Sequence, residues 1–264
     1  MQWWLGYLAI GLAAGCFAGL LGIGGGAVMV PMLVFVFTAQ GLPADHVMHI
    51  ALGTAMATIM FTSISSMRAH HAHGAVDWSI ARAIAPGILA GSFCAALVAG
   101  LISKRPLAVV FTAMVFYAAT QILFDLRPKQ SRELPGPGGL FSAGAVIGAL
   151  SSLLAAGGAF LCIPFLAWCS VPLRRAIGTA AAVGLPIAIA GTLGYVLQGM
   201  RVEGLPSPSL GYVYLPALAL VVATSMLAAP VGARVAHRLP VKRLRIVFAL
   251  VLYALATRML ASLW

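Results

Sequence analysis

Charge is what this sequence has least of. Only 8% of its 264 residues are charged, and just five are acidic. A soluble domain carries roughly 25% charged residues, so an ordinary aqueous surface is excluded and the chain needs a bilayer as solvent. The five acids, Asp45, Asp77, Asp125, Glu133 and Glu203, all fall at loop positions. With no carboxylate inside an apolar run, the usual acidic relay for protons or sodium has nothing to stand on. Cysteine is scarce as well. Cys16, Cys94, Cys162 and Cys169 fall inside apolar stretches without C-x-x-C spacing, which argues against a disulfide framework or a structural zinc site. They are expected to be small buried side chains. A basic leader is also missing from Met1 to Trp4, and no polar cleavage region follows the first apolar stretch. That stretch is therefore expected to remain as a membrane segment.

Long uncharged runs take the place of charge. Residues 1–44, 46–67, 83–103, 106–124, 134–173, 176–200 and 204–233 contain no Lys, Arg, Asp or Glu. Each can hold a helix of about 20 residues, the length that spans a bilayer. The polar segments between them are short. The largest, Asp125 to Gly138, has the Pro/Gly character of a linker. The whole chain, 1–264, thus reads as a single all-α polytopic membrane domain. Its formal net charge of +11 comes from 16 Lys and Arg residues placed in the loops, where basic residues fix orientation, and nucleic acid is not an expected partner.

The chain is also a duplication. Ala18 to Leu33 (AGLLGIGGGAVMVPML) aligns with Ser151 to Leu166 (SSLLAAGGAFLCIPFL), pairing Gly24 and Gly25 with Gly157 and Gly158, and Pro31 with Pro164. In the same way Ala51-Leu-Gly-Thr54 matches Ala176-Ile-Gly-Thr179, and Gly74 matches Gly199. The first repeat runs over 1–126, a cytoplasmic linker over 127–138, and the second repeat over 139–264. Each repeat reads as a Gly-broken helical hairpin followed by three transmembrane helices. The pieces after the breaks, Ala27 to Thr38 and Ala159 to Ser170, are too short to cross a core of about 30 Å and are expected to be half-helices or re-entrant segments.

Basic residues choose between parallel and inverted repeats. If each broken hairpin returns to its starting side, twelve basic residues lie inside: Arg68, Arg82, Arg127, Lys129, Arg132, Arg174, Arg175, Arg234, Arg238, Lys242, Arg243 and Arg245. Lys104, Arg105, Arg201 and Arg258 then lie outside. A single crossing would leave the split nearly even. The inverted topology is expected, with both termini outside and Trp3, Trp4 and Trp264 as interfacial anchors.

Inverted repeats with broken helices place their substrate near the midplane, where the breaks face each other. Non-helical backbone survives at that depth only when buried in protein or lining a polar cavity. The breaks Gly22 to Gly26 and Ala155 to Ala159 would present bare N–H groups, and the following helices would aim their positive ends into the same space. The expected substrate-binding residues are Gly24, Gly25, Gly26 and Ala27, with Gly157, Gly158 and Ala159. The hydroxyls of Thr54 and Thr179 are further candidates, competing with simple bonding to their own helices. Tyr195 and Gln198 are weaker ones, Arg258 either snorkels outward or faces a cavity as an anion ligand, and His46 and His49, one helical turn apart, offer a protonatable group or an interfacial role. Gly22-x-Gly-x-x-Ala27 formally matches a dinucleotide fingerprint, but it follows a membrane segment instead of a strand. No cofactor is implied.

The motifs Gly-Leu-Leu-Gly-Ile-Gly-Gly-Gly (19–26), Pro31, Ala-Leu-Gly-Thr (51–54), then Gly157-Gly158, Pro164 and Ala-Ile-Gly-Thr (176–179) resemble the TauE/SafE (TSUP) family of sulfite exporters over nearly the whole chain. The second copy departs from that pattern, with Ala155, Ala156 and Ala159 where Gly-Ile and a third Gly are typical. The resemblance implies a bacterial-type inner (plasma) membrane transporter, not an enzyme, exporting sulfite, sulfoacetate or a related organosulfur anion. The residues alone imply only a small anion. Two alternatives stay open: a transition-metal permease using His70, His71 and His73, and an intramembrane enzyme, for which no nucleophile motif is evident.

Overall fold

The computed structural model describes residues 2–21, 25–124, 132–236 and 241–261. Among them are ten α-helices: α1 Gln2–Leu21, α2 Gly26–Ala39, α3 Val47–Ala72, α4 Trp78–Ala99, α5 Lys104–Leu123, α6 Pro137–Leu153, α7 Ala159–Trp168, α8 Leu173–Gly199, α9 Leu215–Ala236 and α10 Val241–Ala261. Helices dominate because apolar surroundings offer the backbone no water, so its polar groups must pair within each segment. By length and composition α3, α4, α5 and α8 can each cross a membrane.

The two short helices match the expected half-helices to within two residues. α2 has 14 residues and α7 has 10, so they rise about 21 and 15 Å, well short of the hydrocarbon thickness. Each starts from a left-handed glycine, Gly25 (φ 67°) and Gly158 (φ 77°). Each also carries proline as its sixth residue, Pro31 and Pro164. Proline has no N–H to donate one turn back, so the carbonyls of Ala27 and Phe160 lose their helical partners.

One local element departs from an all-α reading. Ser209–Leu210 (β1) and Val213–Tyr214 (β2) form a two-stranded antiparallel hairpin in the loop before α9. It fits there because Gly211 (φ 54°) lies against the carbonyl of Val196 on α8, where a Cβ would clash. A second departure concerns Cys94, which is exposed on α4, whereas Cys162 and Cys169 are buried. Of the linker, residues 125–131 lie outside the described residues. Arg132 closes back on the end of α7, stacking over Trp168 at 4.6 Å, and its carbonyl accepts from the Ser170 hydroxyl at 3.1 Å.

Packing follows an exchange of partners between the two ends of the chain. α1 lies along α9, and α6 lies along α4. α3 crosses α8 at the buried centre, and α5 packs on α10. The contacts are backbone-close because small residues line them. On α4 and α6, Cβ atoms at Gly87 and Gly91 would clash with the carbonyls of Phe141 and Ala145, while at Gly144 and Gly148 they would lie 2.5 Å from those of Ile84 and Ile88. On α1, Gly15 sits equally tightly against Ser225 of α9. Such small-residue spacing lets helices approach where no hydrophobic force drives them together.

Candidate functional site

The two chain breaks meet. A Cβ at Gly26 would clash with the carbonyl oxygen of Ala155 and come within 2.9 Å of Ile59 Cδ1. On the other side of the seam, Gly184 lies so close to Gly157 that a Cβ would fall 2.6 Å from its carbonyl oxygen and 3.1 Å from Ser63 Oγ. Gly25, Gly26, Ala27, Gly157, Gly158 and Ala159 are all buried, with Gly25 against α1 and Gly158 against α8. Gly22, Ile23 and Gly24 lie outside the described residues.

The helix starts leave donors unpaired. In α2 the N–H groups of Val28 and Met29 fold back onto Gly25 O, and in α7 those of Leu161 and Cys162 onto Gly158 O. Among the described residues, the N–H groups of Ala159 and Phe160 have no acceptor. Buried orphan donors cost free energy unless something accepts from them, and a helix N-terminus favours an anion. The left-handed backbone favours glycine at Gly25 and Gly158, where a Cβ at Gly25 would add a 2.7 Å approach to Ala14 O, while Ala155 in the second break takes a positive φ of 46° as an alanine. Just before the second break, Ser151 and Ser152 carry buried hydroxyls without a hydrogen-bond partner among the described residues.

Thr54 and Thr179 do something the sequence did not reveal. Neither bonds back to its own helix. Thr54 Oγ1 accepts the backbone N–H of Tyr214 at 3.0 Å, and Thr179 Oγ1 accepts that of Asp77 at 3.0 Å. The glycine before each threonine makes room for the same incoming segment. A Cβ at Gly53 would lie 2.6 Å from Tyr212 O, and one at Gly178 would clash with Ala75 O. Gly-Thr is thus a notch and a peg, receiving the segment that enters α9 or α4 from the other end of the chain. Each hydroxyl oxygen has one lone pair committed to that bond.

Polar groups around the pegs complete the helix starts. Asp77 caps α4, accepting from Ser79 N at 3.1 Å and Ser79 Oγ at 2.7 Å. The Ser79 hydroxyl, above all, holds its carboxyl below the ordinary carboxylate range, with backbone donors and Arg175 adding to the effect. Arg175 stands 3.8 Å away and exposed, a geometry that contributes little to stability. Arg174 donates to His73 O at 2.9 Å. At the Thr54 end, His49 Nε2 lies 3.1 Å from Ala99 O and 3.0 Å from Ile102 O. Because both partners can only accept, Nε2 carries the proton. Gln198 donates to Leu97 O at 2.8 Å, and Tyr195 OH to Ser152 O at 3.5 Å. These side chains tie loops and helix ends together.

His70, His71 and His73 do not converge. His71 Nδ1 accepts from Trp78 Nε1 at 3.1 Å, and His73 Nδ1 turns to Ala69 O at 2.7 Å. Among the described residues no three His, Cys, Asp or Glu side chains gather as a metal would require.

The profile of the sulfite exporter TauE/SafE family matches residues 7–259. The chain belongs to the TauE/SafE sulfite exporter family. It is a membrane transporter by that membership and by its relatives. A probable membrane transporter protein of Haemophilus influenzae is 36% identical over 96% of both chains. A probable membrane transporter protein of Methanocaldococcus jannaschii is 27% identical over 96% of this chain and 94% of its own. Another of that description, YdhB of Bacillus subtilis, is 27% identical over 70% of this chain and 76% of its own. No solved structure matches the chain.

In this TauE/SafE member the sequence pointed at the breaks but missed what surrounds them. Gly184 and Ser63, which border the second break, stand outside both Gly motifs. Their one visible signal was a small and a polar residue on helices with little polarity.

Proposed function

We propose that this TauE/SafE transporter exports a small sulfur-containing anion, sulfite or an organosulfonate such as sulfoacetate, across an inner (plasma) membrane by alternating access. The anion sits at the seam of the two breaks, held by Gly24, Gly25, Gly26 and Ala27 from one side and Gly157, Gly158 and Ala159 from the other. One observation carries this reading: the start of α2 at Gly26 lies against Ala155 of the second break in a buried seam, and the N–H groups of Ala159 and Phe160 at the start of α7 have no acceptor among the described residues. An oxyanion supplies acceptors and matches the positive helix ends. Because Thr54 and Thr179 already accept backbone N–H groups, we assign them the support of the seam, with any substrate contact limited to their hydroxyl protons.

Inverted repeats accommodate alternating access, since exchanging the conformations of two equivalent halves turns an inward site outward. The reciprocal packing of α1 on α9 and α6 on α4 is what such a pair of halves would produce. Both termini then lie outside. Export needs no coupled ion, because a negative interior favours expelling each negative charge by about 2.3 kcal/mol per 100 mV.

Proteoliposomes loaded with sulfite, sulfoacetate, thiosulfate or sulfate, with and without an imposed voltage, test the reading. Voltage-accelerated sulfite or sulfoacetate flux is expected, and Gly158→Val should abolish it while the protein still inserts. Anion flux at the level of empty liposomes, or full flux in Gly158→Val, would overturn it.

A further inference from the structure

We propose that the groove between α1, α2 and α10 is a binding site for one anionic phospholipid, with Arg258 holding the headgroup phosphate and the apolar walls taking the upper acyl chain. The groove has a volume of about 600 Å³ and is walled by Ile10, Pro31, Phe35, Leu255 and Met259. Two polar side chains interrupt that lining, Thr38 and Arg258. Both stand at one end, Thr38 one residue before the end of α2 and Arg258 in the last turn of α10. Trp4, exposed near the start of α1, marks the same end as the level of the aromatic belt, where lipid headgroups lie.

Arg258 is poised for an anion. Its Cζ lies 4.3 Å from the centroid of the Phe35 ring, and stacking on an aromatic face fixes a guanidinium while leaving its N–H edge free. Among the described residues no carboxylate lies within ion-pair distance of it. A cation at an exposed helix end with no carboxylate partner among the described residues is met by a phosphate through charge-assisted hydrogen bonds.

The walls decide between a lipid and the transported anion. From Thr38 down to Pro31 the groove runs seven residues of α2, about 10 Å, lined there by hydrocarbon and thioether groups. A small hydrated oxyanion would lose its water against such walls without replacement bonds. An acyl chain is stabilised by them, and its phosphate reaches only as deep as Arg258.

The test uses purified, delipidated full-length protein, with bound lipid counted by native mass spectrometry. Phosphatidylglycerol should be retained about tenfold better than phosphatidylcholine of the same chains. Arg258→Gln should bring phosphatidylglycerol down to the phosphatidylcholine level, and Arg258→Lys should recover part of the preference. Ala9→Trp, which fills the groove and keeps the charge, should lower retention of both lipids. Equal retention of the two lipids by the unaltered protein would overturn the proposal, as would undiminished phosphatidylglycerol binding in Arg258→Gln or Ala9→Trp. Displacement of phosphatidylglycerol by equimolar inorganic phosphate would do so too, since the walls would then contribute nothing.

Discussion

At the scale of single residues, the repeated Gly-Thr pairs teach the most. The sequence marked Thr54 and Thr179 by their equivalence alone, and equivalence cannot say whether a hydroxyl faces a solute or a neighbouring backbone. That depends on which segment comes to lie across the helix, 160 residues away for Thr54 and 102 for Thr179. Thr179→Val keeps the shape but removes the acceptor for Asp77 N–H. The purified protein should lose about 1–3 kcal/mol of stability, the usual penalty for stranding a donor, seen as a lower unfolding temperature in detergent. Thr179→Ser should recover most of the loss. A valine variant as stable as the parent would show that Asp77 N–H finds another acceptor. By contrast Gly25 and Gly158 were legible because a glycine-rich interruption between apolar runs has few purposes at bilayer depth, and their positive φ angles carry that reading into geometry.

At the scale of elements, the helices themselves were plain from uncharged runs, and the half-helices from their length. The hairpin Ser209–Tyr214 was not, because four paired residues leave no periodicity to detect. Nor did charge or hydropathy reveal which helices touch. That information was present in the glycine spacing, Gly87 to Gly91 and Gly144 to Gly148, which marks faces of α4 and α6 that allow backbone contact. A leucine at Gly144 would have to displace Ile84 O, only 2.5 Å from the added Cβ. Overpacking a helix seam with flexible surroundings costs roughly 1–3 kcal/mol, and rigid backbone raises that. Gly144→Leu should therefore lower the unfolding temperature sharply. Gly138→Leu, with nothing within 4 Å, should leave it within error of the parent; equal behaviour of the two would mean that α4 and α6 are not in contact.

At the scale of the molecule, composition called for a bilayer as solvent, and the duplication read from the sequence implied five helices in each half, against ten helices among the described residues. Orientation rests on the basic residues, twelve on one side against four in the inverted arrangement. Cysteine-accessibility labelling of a cysteine-free background checks it: a single cysteine at Gly74 should react only from the cytoplasmic side, and one at Gly204 only from outside. Labelling of both from the same side would exclude an inverted pair.

The exchange of packing partners also dictates the order of assembly. α1 leaves the ribosome before its principal neighbour, α9, which is synthesised some 200 residues later. Until α9 is made, α1 waits with its glycine-notched flank uncovered, and α4 likewise waits for α6. Each of these pairs joins one half to the other, so a half made alone leaves α1 or α6 without its principal packing partner.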